Sequence, residues 1–596
     1  MLRTDYSFVL VRVDHFFTYN NPPHIMVKPD PTRGAPSRNA SVWSMDAESK
    51  IGSKTPRNGS VATTRSEHAG EVPEEAVDEK QDPSEYGRII GGKYLEEYQE
   101  SEDDNNEVAP LQKIEGVDLP LTLTEKVTEN GKEYIVLLFA NGDKENPFNW
   151  SPAYKGLITT LLCLMTLFIG LATTAYSSGI GKMTTEFGVS EELGQLGLFT
   201  FNFCCALAPL FLAPFCEMVG RKIVYVGGYL CFSLLFIGLS LGNSIGTIVG
   251  LRLLLGLFGC IGTILVGGTF DDLYEPAHRG QPMAAFSWIA ILGTVGAPIY
   301  AGFIDMTIGW RWIEGVQGIA NVPLLICIVF LFTETRGGVA LHKRAKAVRK
   351  ATGDERYVAS DDITTPSVKI LLKNSSVKAI QMLFTEPVVF AFGLWIGFTW
   401  FVTFMFLSVI PITFQEKRGW NEGVAGLPYI SLSLGCTFAW IANQWQMKKY
   451  NRIVADENRN VTPEDRLYGA MYGAIFLPIG LFIYSFTQYG YIHWIAPTIA
   501  LAPISFGIYF VFESTYSYTA DCYGTSSSSA IAGQGFLRNT LGAVSPLFAS
   551  QFFHNVGSQY AGLILSIAGT VLSLIPFVAY KYGPALRSRS KRALVY

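Results

Sequence analysis

The chain has 596 residues, of which 49% are hydrophobic and 16% are charged, and its formal net charge is −4. A soluble protein carries about 25% charged residues, so this deficit indicates a membrane protein. The same figures exclude a fully disordered chain, a strongly basic nucleic-acid-binding protein and a small disulfide-rich scaffold.

Residues 1–150 differ from the rest of the chain in charge. They contain 27 acidic and 16 basic side chains, a balance of −11, whereas residues 151–596 have a balance of +7. The first segment is too polar to bury a hydrophobic core. We therefore expect a disordered acidic cytosolic tail, with one short ordered element at Tyr134–Ala140.

Long apolar runs begin at Lys155, and twelve of them have the roughly 20 residues that a membrane-spanning helix needs. A long gap at 334–385 separates the first six from the last six. This layout predicts an all-α membrane protein with two pseudo-symmetric six-helix halves, 151–333 and 386–580, a basic central loop at 334–385 and a basic C-terminal tail at 581–596. The predicted spans are 155–177, 193–215, 222–242, 245–271, 281–304, 314–333, 386–410, 424–446, 467–488, 493–518, 527–552 and 559–580.

The basic residues of the connections predict the orientation of these spans. With an inward-facing N-terminus, the inner connections and the C-terminal tail hold 23 Lys and Arg, and the outer loops hold four. Connections rich in Lys and Arg stay in the cytosol, so we expect both termini there. The plasma membrane is the expected location, with the vacuolar membrane as the alternative.

The sequence contains no zinc-type CxxC pair, no HExxH and no phosphate-binding GxxxxGK loop. The segment 238–242 matches the hydrolase GxSxG pattern, but it ends an apolar run without the strand that this motif requires. We expect a protein that is not an enzyme, holds no metal or cofactor and binds no nucleic acid. The layout of two six-helix halves is the one that a transporter would show. Without a nucleotide site, its transport would be downhill or driven by an ion gradient.

Charged side chains within the predicted spans require an explanation, because their burial in lipid costs free energy. Arg252 lies in the fourth span and Arg538 in the eleventh, Glu314 opens the sixth, and Glu513 lies in the tenth. A water-lined cavity or a buried partner explains Arg252, Arg538 and Glu513 better than exposure to lipid does. Simple exposure at the membrane interface is expected for three acids at helix ends: Asp272, Asp305 and Glu386.

Four short motifs follow one another along the chain. Glu145–Ser151 reads ENPFNWS, Pro214–Lys222 holds an acid followed by G-R-K, Arg252–Gly256 reads RLLLG, and Gly293–Gly302 reads G-xxx-A-P-xx-A-G. In this order they resemble the major facilitator superfamily, and specifically its fungal twelve-span drug:proton antiporters. The resemblance covers roughly 141–590.

The motifs also depart from the family pattern. Leu255 replaces the usual Gln after Arg252, and Ala213, Ala297 and Ala301 replace glycines. The antiporter motif is thus degraded, which weakens the case for proton-coupled export without indicating import.

The resemblance implies a charge network at the cytosolic rim, formed by Glu217, Arg221, Lys222 and Asp271. In it, Arg221 faces Asp271, and Glu217 lies near the start of the eleventh helix, where the helix dipole favours negative charge and the acid can latch the halves together. The simpler alternative is that Arg221 and Lys222 only set the topology.

The fifth-span motif implies close helix packing. Gly293, Ala297 and Gly302 are small enough for helix backbones to touch, and Pro298 frees a main-chain carbonyl and allows a bend.

Proton coupling is expected to involve Arg252, Glu314 and Glu513. Arg252 does not titrate usefully itself, but it can act on a nearby carboxylate that does. The sequence does not choose between Glu314 and Glu513, and either could bind a cationic substrate instead.

A substrate cavity is expected at the midplane between the halves. The residues predicted to line it are Trp395, Phe398, Tyr516 and Arg538. Aromatic walls suit amphipathic molecules, although lipid-facing aromatic residues are the commoner explanation of such stripes.

The leading functional hypothesis is proton-driven export of drugs, polyamines or a fungal toxic metabolite by a monomer that works by alternating access. The expected partners are a small-molecule substrate, protons and the lipid bilayer. Two alternatives stay open, namely proton-coupled nutrient uptake by the same fold and a non-transporting membrane receptor or scaffold.

Overall fold

The fold is given by a computed structural model, which describes residues 109–111, 119–129, 132–263, 265–275, 278–359, 362, 368–456, 461–590 and 592–594. The predicted acidic tail up to residue 108 lies outside the described residues.

Twelve helical spans follow one another between Pro152 and Arg589 in the described part of the chain. Eleven are long and apolar enough to cross a membrane. The remaining one, Ser527–Asn555, has 29 residues and a more polar composition. It packs against the second, seventh and tenth spans, so much of its surface faces protein rather than lipid. The predicted all-α architecture with twelve spans is confirmed.

The spans of the first half are formed by these helices: Pro152–Ala175 with Ile180–Phe187, Glu191–Val219, Arg221–Leu241, Ile245–Gly259 with Leu265–Leu273, Gly280–Gly296 with Pro298–Ile308, and Arg311–Leu331. The spans of the second half are formed by Pro387–Pro411, Glu422–Ala425 with Tyr429–Val454, Leu467–Thr487, Ile495–Tyr523, Ser527–Asn555, and Ser558–Leu572 with Ile575–Arg589. Two further helices, Gly337–Thr352 and Val368–Thr385, lie between the halves in sequence.

The two halves repeat one packing pattern. In the first half, span one packs on five, two on four and three on six; in the second, seven packs on eleven, eight on ten and nine on twelve. The halves meet where span two contacts eleven and where span five contacts eight, which are equivalent pairs. This repetition confirms the predicted pseudo-symmetry.

An even number of spans returns the chain to the side where it began. The end of the bundle that carries Pro152, Arg589 and the loop 334–385 is called the basic face here, because its connections hold most of the basic residues. The other end is called the opposite face.

Residues before the first span contribute three strands to a small sheet, so the expectation of disorder is wrong for part of 1–150. Strands Ala109–Pro110 (β1), Thr122–Glu129 (β2) and Lys132–Phe139 (β3) join Tyr357–Ala359 (β4) in the order β1-β2-β3-β4. The predicted ordered element at Tyr134–Ala140 largely coincides with β3. The sequence held a stronger signal, since Asn-Gly at 130–131 between two runs rich in β-branched and aromatic residues favours a β-hairpin.

The basic central loop completes this subdomain of sheet and helix. Helix Gly337–Thr352 contributes Leu341, Ala345 and Val348 to a core shared with Leu137 of β3 and Ala359 of β4. The helix is polar elsewhere, which explains why its sequence reads as a charged loop.

Arg344 ties this subdomain to the entrance of the first span. Its Nη1 lies 2.7 Å from Asp143 Oδ2, and its Nη2 lies 2.6 Å from Glu145 Oε2. Burial alone lowers the pKa of Arg344, but the hydrogen bonds to these two carboxylates raise it above the ordinary value overall. The guanidinium is therefore charged throughout the physiological pH range.

We expect Arg344→Met to loosen the sheet subdomain, because the buried Asp143 carboxylate would lose its counter-charge and keep only the hydrogen bond from the Glu145 N–H, at a cost of about 3–5 kcal/mol. Limited proteolysis of the purified full chain should then cut within 119–139 at least about tenfold faster. Lys346→Met, an exposed position on the same helix, is the matched control. Equal cleavage rates in the two variants would contradict the anchoring role of Arg344.

Candidate functional site

Arg221 begins the third span at the basic face and is buried. Its Nε donates to Asp272 Oδ2 at 2.8 Å, and Arg336 Nη1 lies 3.4 Å from Asp272 Oδ1. The expected pairing of Arg221 with Asp271 is wrong, because Asp271 Oδ1 lies 2.5 Å from Arg279 Nη1 instead. Successive helix residues point about 100° apart, so Asp272 and Asp271 cannot both face Arg221.

Glu334, which follows the sixth span, caps the start of the third. Its carboxylate accepts hydrogen bonds from the main-chain N–H groups of Arg221 at 2.8 Å and Lys222 at 3.1 Å. Such N–H groups lack partners within the helix, and the helix dipole favours negative charge there. Gly220 is needed beside them, because its φ is 102° and a Cβ would overlap the Glu334 carboxylate. Glu334 has no motif or span position that marks it in the sequence.

Glu217 is exposed, and its carboxylate makes no hydrogen bond or ion pair with any residue that the structure describes. Between the second and eleventh spans lies instead the helix Val368–Thr385, which contacts both. Ser376 Oγ donates to the Leu210 carbonyl at 2.8 Å, and Lys378 Nζ donates to Ser526 Oγ at 3.0 Å. The latch role of Glu217 stays a prediction.

The ENPFNWS motif forms the cap of the first span. Asn146 Oδ1 accepts from the Phe148 N–H at 3.1 Å, and Ser151 Oγ accepts from the Tyr154 N–H at 3.3 Å. Its Glu145 is the acid that binds Arg344. The motif thus connects the sheet subdomain to the membrane bundle.

Arg252 is completely buried in the fourth span. Its Nη1 and Nη2 donate to the carbonyls of Ala172 and Thr173, each at 2.9 Å, and its guanidinium lies 4.4 Å from the centre of the Tyr176 ring. Nη1 also lies 3.9 Å from Glu314 Oε1. The charge of Arg252 is therefore balanced by one buried carboxylate and by main-chain carbonyls of the first span.

Glu314 is buried, and neither of its carboxylate oxygens accepts a hydrogen bond from a described residue. A small cavity beside it, of a size for about one water molecule, lies toward the opposite face. The other residues that line this cavity are Tyr176, Gly179, Met183, Trp310 and Ile313.

Glu513 has a different setting. Its Oε1 accepts from Ser517 Oγ of the same helix at 2.9 Å. The nearby Arg466 pairs with Asp521 at 2.8 Å. Within the described residues, Glu513 forms no ion pair, so of the two candidate carboxylates only Glu314 is paired with Arg252.

Pro298 breaks the fifth span between Gly280–Gly296 and Pro298–Ile308. Because proline has no N–H, it leaves the carbonyl of Thr294 without its helical partner. Thr174 Oγ1 of the first span donates to that carbonyl at 2.8 Å. The carbonyl that the sequence predicted to be free is thus bound by a neighbouring helix.

The small residues of the fifth-span motif lie at two close helix contacts. A Cβ on Gly293 would lie 2.8 Å from the Leu167 carbonyl of the first span. A Cβ on Gly302 would lie 2.6 Å from the Glu422 carbonyl of the second half. Ala297, between them, is completely buried. The motif therefore contacts the first span at Gly293 and the second half of the bundle at Gly302.

A charge cluster that was not predicted from the sequence lies at the opposite face. Lys182 Nζ lies 3.2 Å from Asp305 Oδ2 and 3.0 Å from Glu422 Oε2. Lys182 and Asp305 belong to the first half, and Glu422 belongs to the second, so the cluster joins the halves. The sequence did hold a signal for this cluster, since lysine is rare in the outer loops and Asp305 follows the fifth-span motif.

The three acids expected at the membrane interface are not simply exposed there. Asp305 is 2% exposed and pairs with Lys182. The side chain of Asp272 is 10% exposed and holds Arg221. Glu386 is buried and accepts from Ser590 Oγ at 2.5 Å. Each acid has a partner that a single helix sequence does not reveal.

Two of the four predicted cavity residues come together. Arg538 Nη1 donates to the Tyr516 hydroxyl at 2.6 Å. The guanidinium of Arg538 lies 4.8 Å from the ring centre of Trp400 and 5.3 Å from that of Phe512. These four residues are called the aromatic box below.

The other two predicted cavity residues have different contacts. Trp395 is completely buried, and its ring packs against Phe392 of the same helix. Phe398 lies against Gly569 of the twelfth span.

A family model described as Major Facilitator Superfamily matches residues 162–580. The chain belongs to the major facilitator superfamily. The family that the motifs resemble is thereby confirmed, and the protein is a multi-pass membrane transporter of small molecules.

Curated fungal relatives cover most of the chain. It is 32% identical over 462 residues to the major facilitator superfamily multidrug transporter mdrA of Aspergillus fumigatus, covering 77% of this chain and 76% of that protein. It is 33% identical over 454 residues to the efflux pump MFS2 of Trichophyton rubrum, covering 76% of each chain. The efflux pump FUB11 of Gibberella moniliformis is 32% identical over 440 residues, covering 73% of each.

A solved structure shares the fold. A crystal structure of a peptide transporter aligns with a TM-score of 0.50 at 14% identity, covering 73% of this chain and 95% of that one. At this identity the match speaks for the fold alone.

We expect Gly293→Ala to destabilise the bundle by about 1–3 kcal/mol, because the added methyl overpacks the contact with the first span. Gly296→Ala is the matched control, since its Cβ would meet only Leu171 Cδ2 at 3.6 Å. Thermal unfolding of both variants in one detergent measures the difference. Equal melting temperatures would contradict the close contact of Gly293.

The two adjacent aspartates should differ in their effect on transport. Asp272→Asn should reduce the transport rate at least about tenfold, because the buried Arg221 loses its counter-charge. Asp271→Asn should stay within about twofold of wild type, because the side chain of Asp271 is 50% exposed. Transport rates are compared at equal amounts of each variant at the cell surface. A larger loss of rate in Asp271→Asn than in Asp272→Asn would support the pairing of Arg221 with Asp271 instead.

Proposed function

We propose that this chain is a proton-coupled exporter of small amphipathic molecules that works by alternating access as a monomer. The protein is a secondary active transporter, and its relatives carry the names of efflux pumps and a multidrug transporter. The basic face holds most of the loop Lys and Arg, which supports a cytosolic location of both termini. The plasma membrane is the proposed location.

The observation that carries the proton coupling is the buried pair of Arg252 and Glu314, 3.9 Å apart. When Glu314 is ionised, it balances the charge of Arg252. When it takes up a proton, Arg252 keeps only carbonyls and aromatic rings as partners, which changes the energy of the contact among spans one, four and six. A proton can therefore bias one arrangement of these helices over another.

The small cavity beside Glu314 has room for about one water molecule, and it is the proposed place where that proton reaches the carboxylate. It lies toward the opposite face, which in the proposed orientation is the outer side. A proton entering from outside would reach Glu314 without crossing the bundle. An inward proton gradient requires this direction of entry for export and for uptake alike.

The cluster of Lys182, Asp305 and Glu422 is the proposed outer gate. It joins the halves at the opposite face, next to the contact of Gly302 with the Glu422 carbonyl. Outward opening would have to separate Glu422 from Lys182. Closing would restore an attraction among three charges, one of which is well buried.

We expect Glu314→Gln to remove the proton dependence of transport, because the neutral amide cannot release a proton. Inside-out vesicles with an acidic lumen measure this, since an antiporter accumulates its substrate there. Wild type should accumulate substrate as the gradient is imposed, whereas Glu314→Gln should show substrate exchange that does not respond to the gradient.

Glu513→Gln is the matched control, because Glu513 is also buried but is not paired with Arg252. It should retain at least about half of the gradient-driven accumulation. If Glu513→Gln loses the response and Glu314→Gln keeps it, the roles of the two acids are exchanged. If wild-type vesicles lose substrate when the lumen is acidified, the chain is an importer.

A further inference from the structure

Arg538 differs from the other buried arginines of the described chain. Five arginines are buried, and four of them have a carboxylate within ion-pair distance. Arg538 is 2% exposed, and no carboxylate of a described residue lies within 4.0 Å of it. The four paired arginines are Arg221 with Asp272, Arg252 with Glu314, Arg344 with Asp143 and Arg587 with Glu464.

A buried charge without a counter-charge is costly, and more so within a membrane. The aromatic box offsets only part of that cost, since a cation above an aromatic ring gains about 0.5–2 kcal/mol. The chain also contains a direct comparison, because Arg252 has two aromatic contacts as well and nevertheless pairs with Glu314. Aromatic rings alone thus do not replace the carboxylate elsewhere in this bundle.

The guanidinium of Arg538 has N–H donors that no described residue accepts. Nε donates to Asn539 Oδ1 at 3.1 Å, and Nη1 donates to the Tyr516 hydroxyl at 2.6 Å. Nη2 donates to no residue that the structure describes. The Tyr516 hydroxyl accepts from Arg538 and can still donate its own proton. Two neighbouring groups can therefore donate to one oxyanion.

The aromatic box lies where the two halves touch. Asn539, which accepts from Arg538, donates its Nδ2 to the Cys205 carbonyl of the second span at 3.0 Å. Trp400, Phe512 and Tyr516 come from the seventh and tenth spans. A molecule bound to Arg538 would therefore contact the interface that alternating access rearranges.

We propose that Arg538 binds the anionic group of the transported molecule, while Trp400 and Phe512 contact its aromatic or conjugated part. The substrate class is therefore small aromatic molecules with a carboxylate-type or sulfonate-type oxyanion, and polyamines and other cations are excluded. This inference rests on the proposed function and gives it a substrate class. The counter-charge of Arg538 arrives with the substrate and leaves with it.

Three probes with the same ring and different charges test the inference. They are radiolabelled 2-naphthalenesulfonate, the neutral 2-naphthalenesulfonamide and the cationic (2-naphthylmethyl)trimethylammonium. Inside-out vesicles that contain the full chain are given an acidic lumen, with the membrane potential clamped. Wild type should accumulate the sulfonate at least about tenfold over vesicles without the protein, and should leave the cation at background.

Two variants identify the residue responsible. Arg538→Gln should reduce accumulation of the sulfonate at least about tenfold, and Arg538→Lys should retain part of it because it keeps the charge. Arg452→Gln, an exposed change of equal charge at the basic face, is the control and should behave as wild type. Surface amount and a monodisperse peak after extraction establish that each variant is folded.

The preference of the wild-type protein among the probes needs no variant, so it tests the inference even if Arg538→Gln fails to fold. Accumulation of the cation in preference to the sulfonate overturns the substrate class but leaves proton-driven export standing. Unchanged sulfonate accumulation by a folded Arg538→Gln overturns the role of Arg538. If the gradient moves none of the three probes, the inference falls, and gradient-driven transport of a compound panel then decides the proposed function separately.

Discussion

The bilayer core offers no water, so each charge and each freed main-chain group inside it must find its partner in the protein. Arg252 shows what this constraint does to the fold. Its guanidinium binds two carbonyls of the first span and faces Glu314 of the sixth, while remaining fixed on the fourth. Three spans are thereby held around one side chain. The Thr294 carbonyl, freed by Pro298 and bound by Thr174, adds the fifth span in the same way.

The same constraint acts differently at the two ends of the bundle. At the basic face, Arg221, Asp272, Glu334 and Arg336 belong to the first half and the loop that follows it, so their network does not itself cross between the halves. At the opposite face, Lys182 pairs with Glu422 of the other half. Charge pairing thus stabilises the first half as a unit at one end and joins the halves at the other.

Composition and spacing were sufficient to predict those parts of the fold that depend on each helix separately. The twelve apolar runs and the gap at 334–385 predicted the spans and the two halves, and Pro298 predicted a free carbonyl. Pairings between helices were not predictable, because they depend on rotation about each helix axis. Asp271 was chosen where Asp272 binds, an error of one residue. The hairpin was missed for another reason, since the Asn-Gly signal was present but its surroundings are too polar to suggest a core.

Charge balance also connects two buried arginines, Arg252 of the first half and Arg538 of the second. Glu314 balances Arg252 when it is ionised, and an anionic substrate would balance Arg538. If one proton enters for each monovalent anion that leaves, every cycle moves two positive charges inward. An inside-negative membrane potential then contributes about 4.6 kcal/mol per 100 mV to export, in addition to the pH gradient. A substrate with one positive charge would remove this contribution, because exchanging it for a proton moves no net charge. An anionic substrate held by Arg538 would thus draw on the membrane potential twice as strongly as a neutral one, for which the proton alone carries charge.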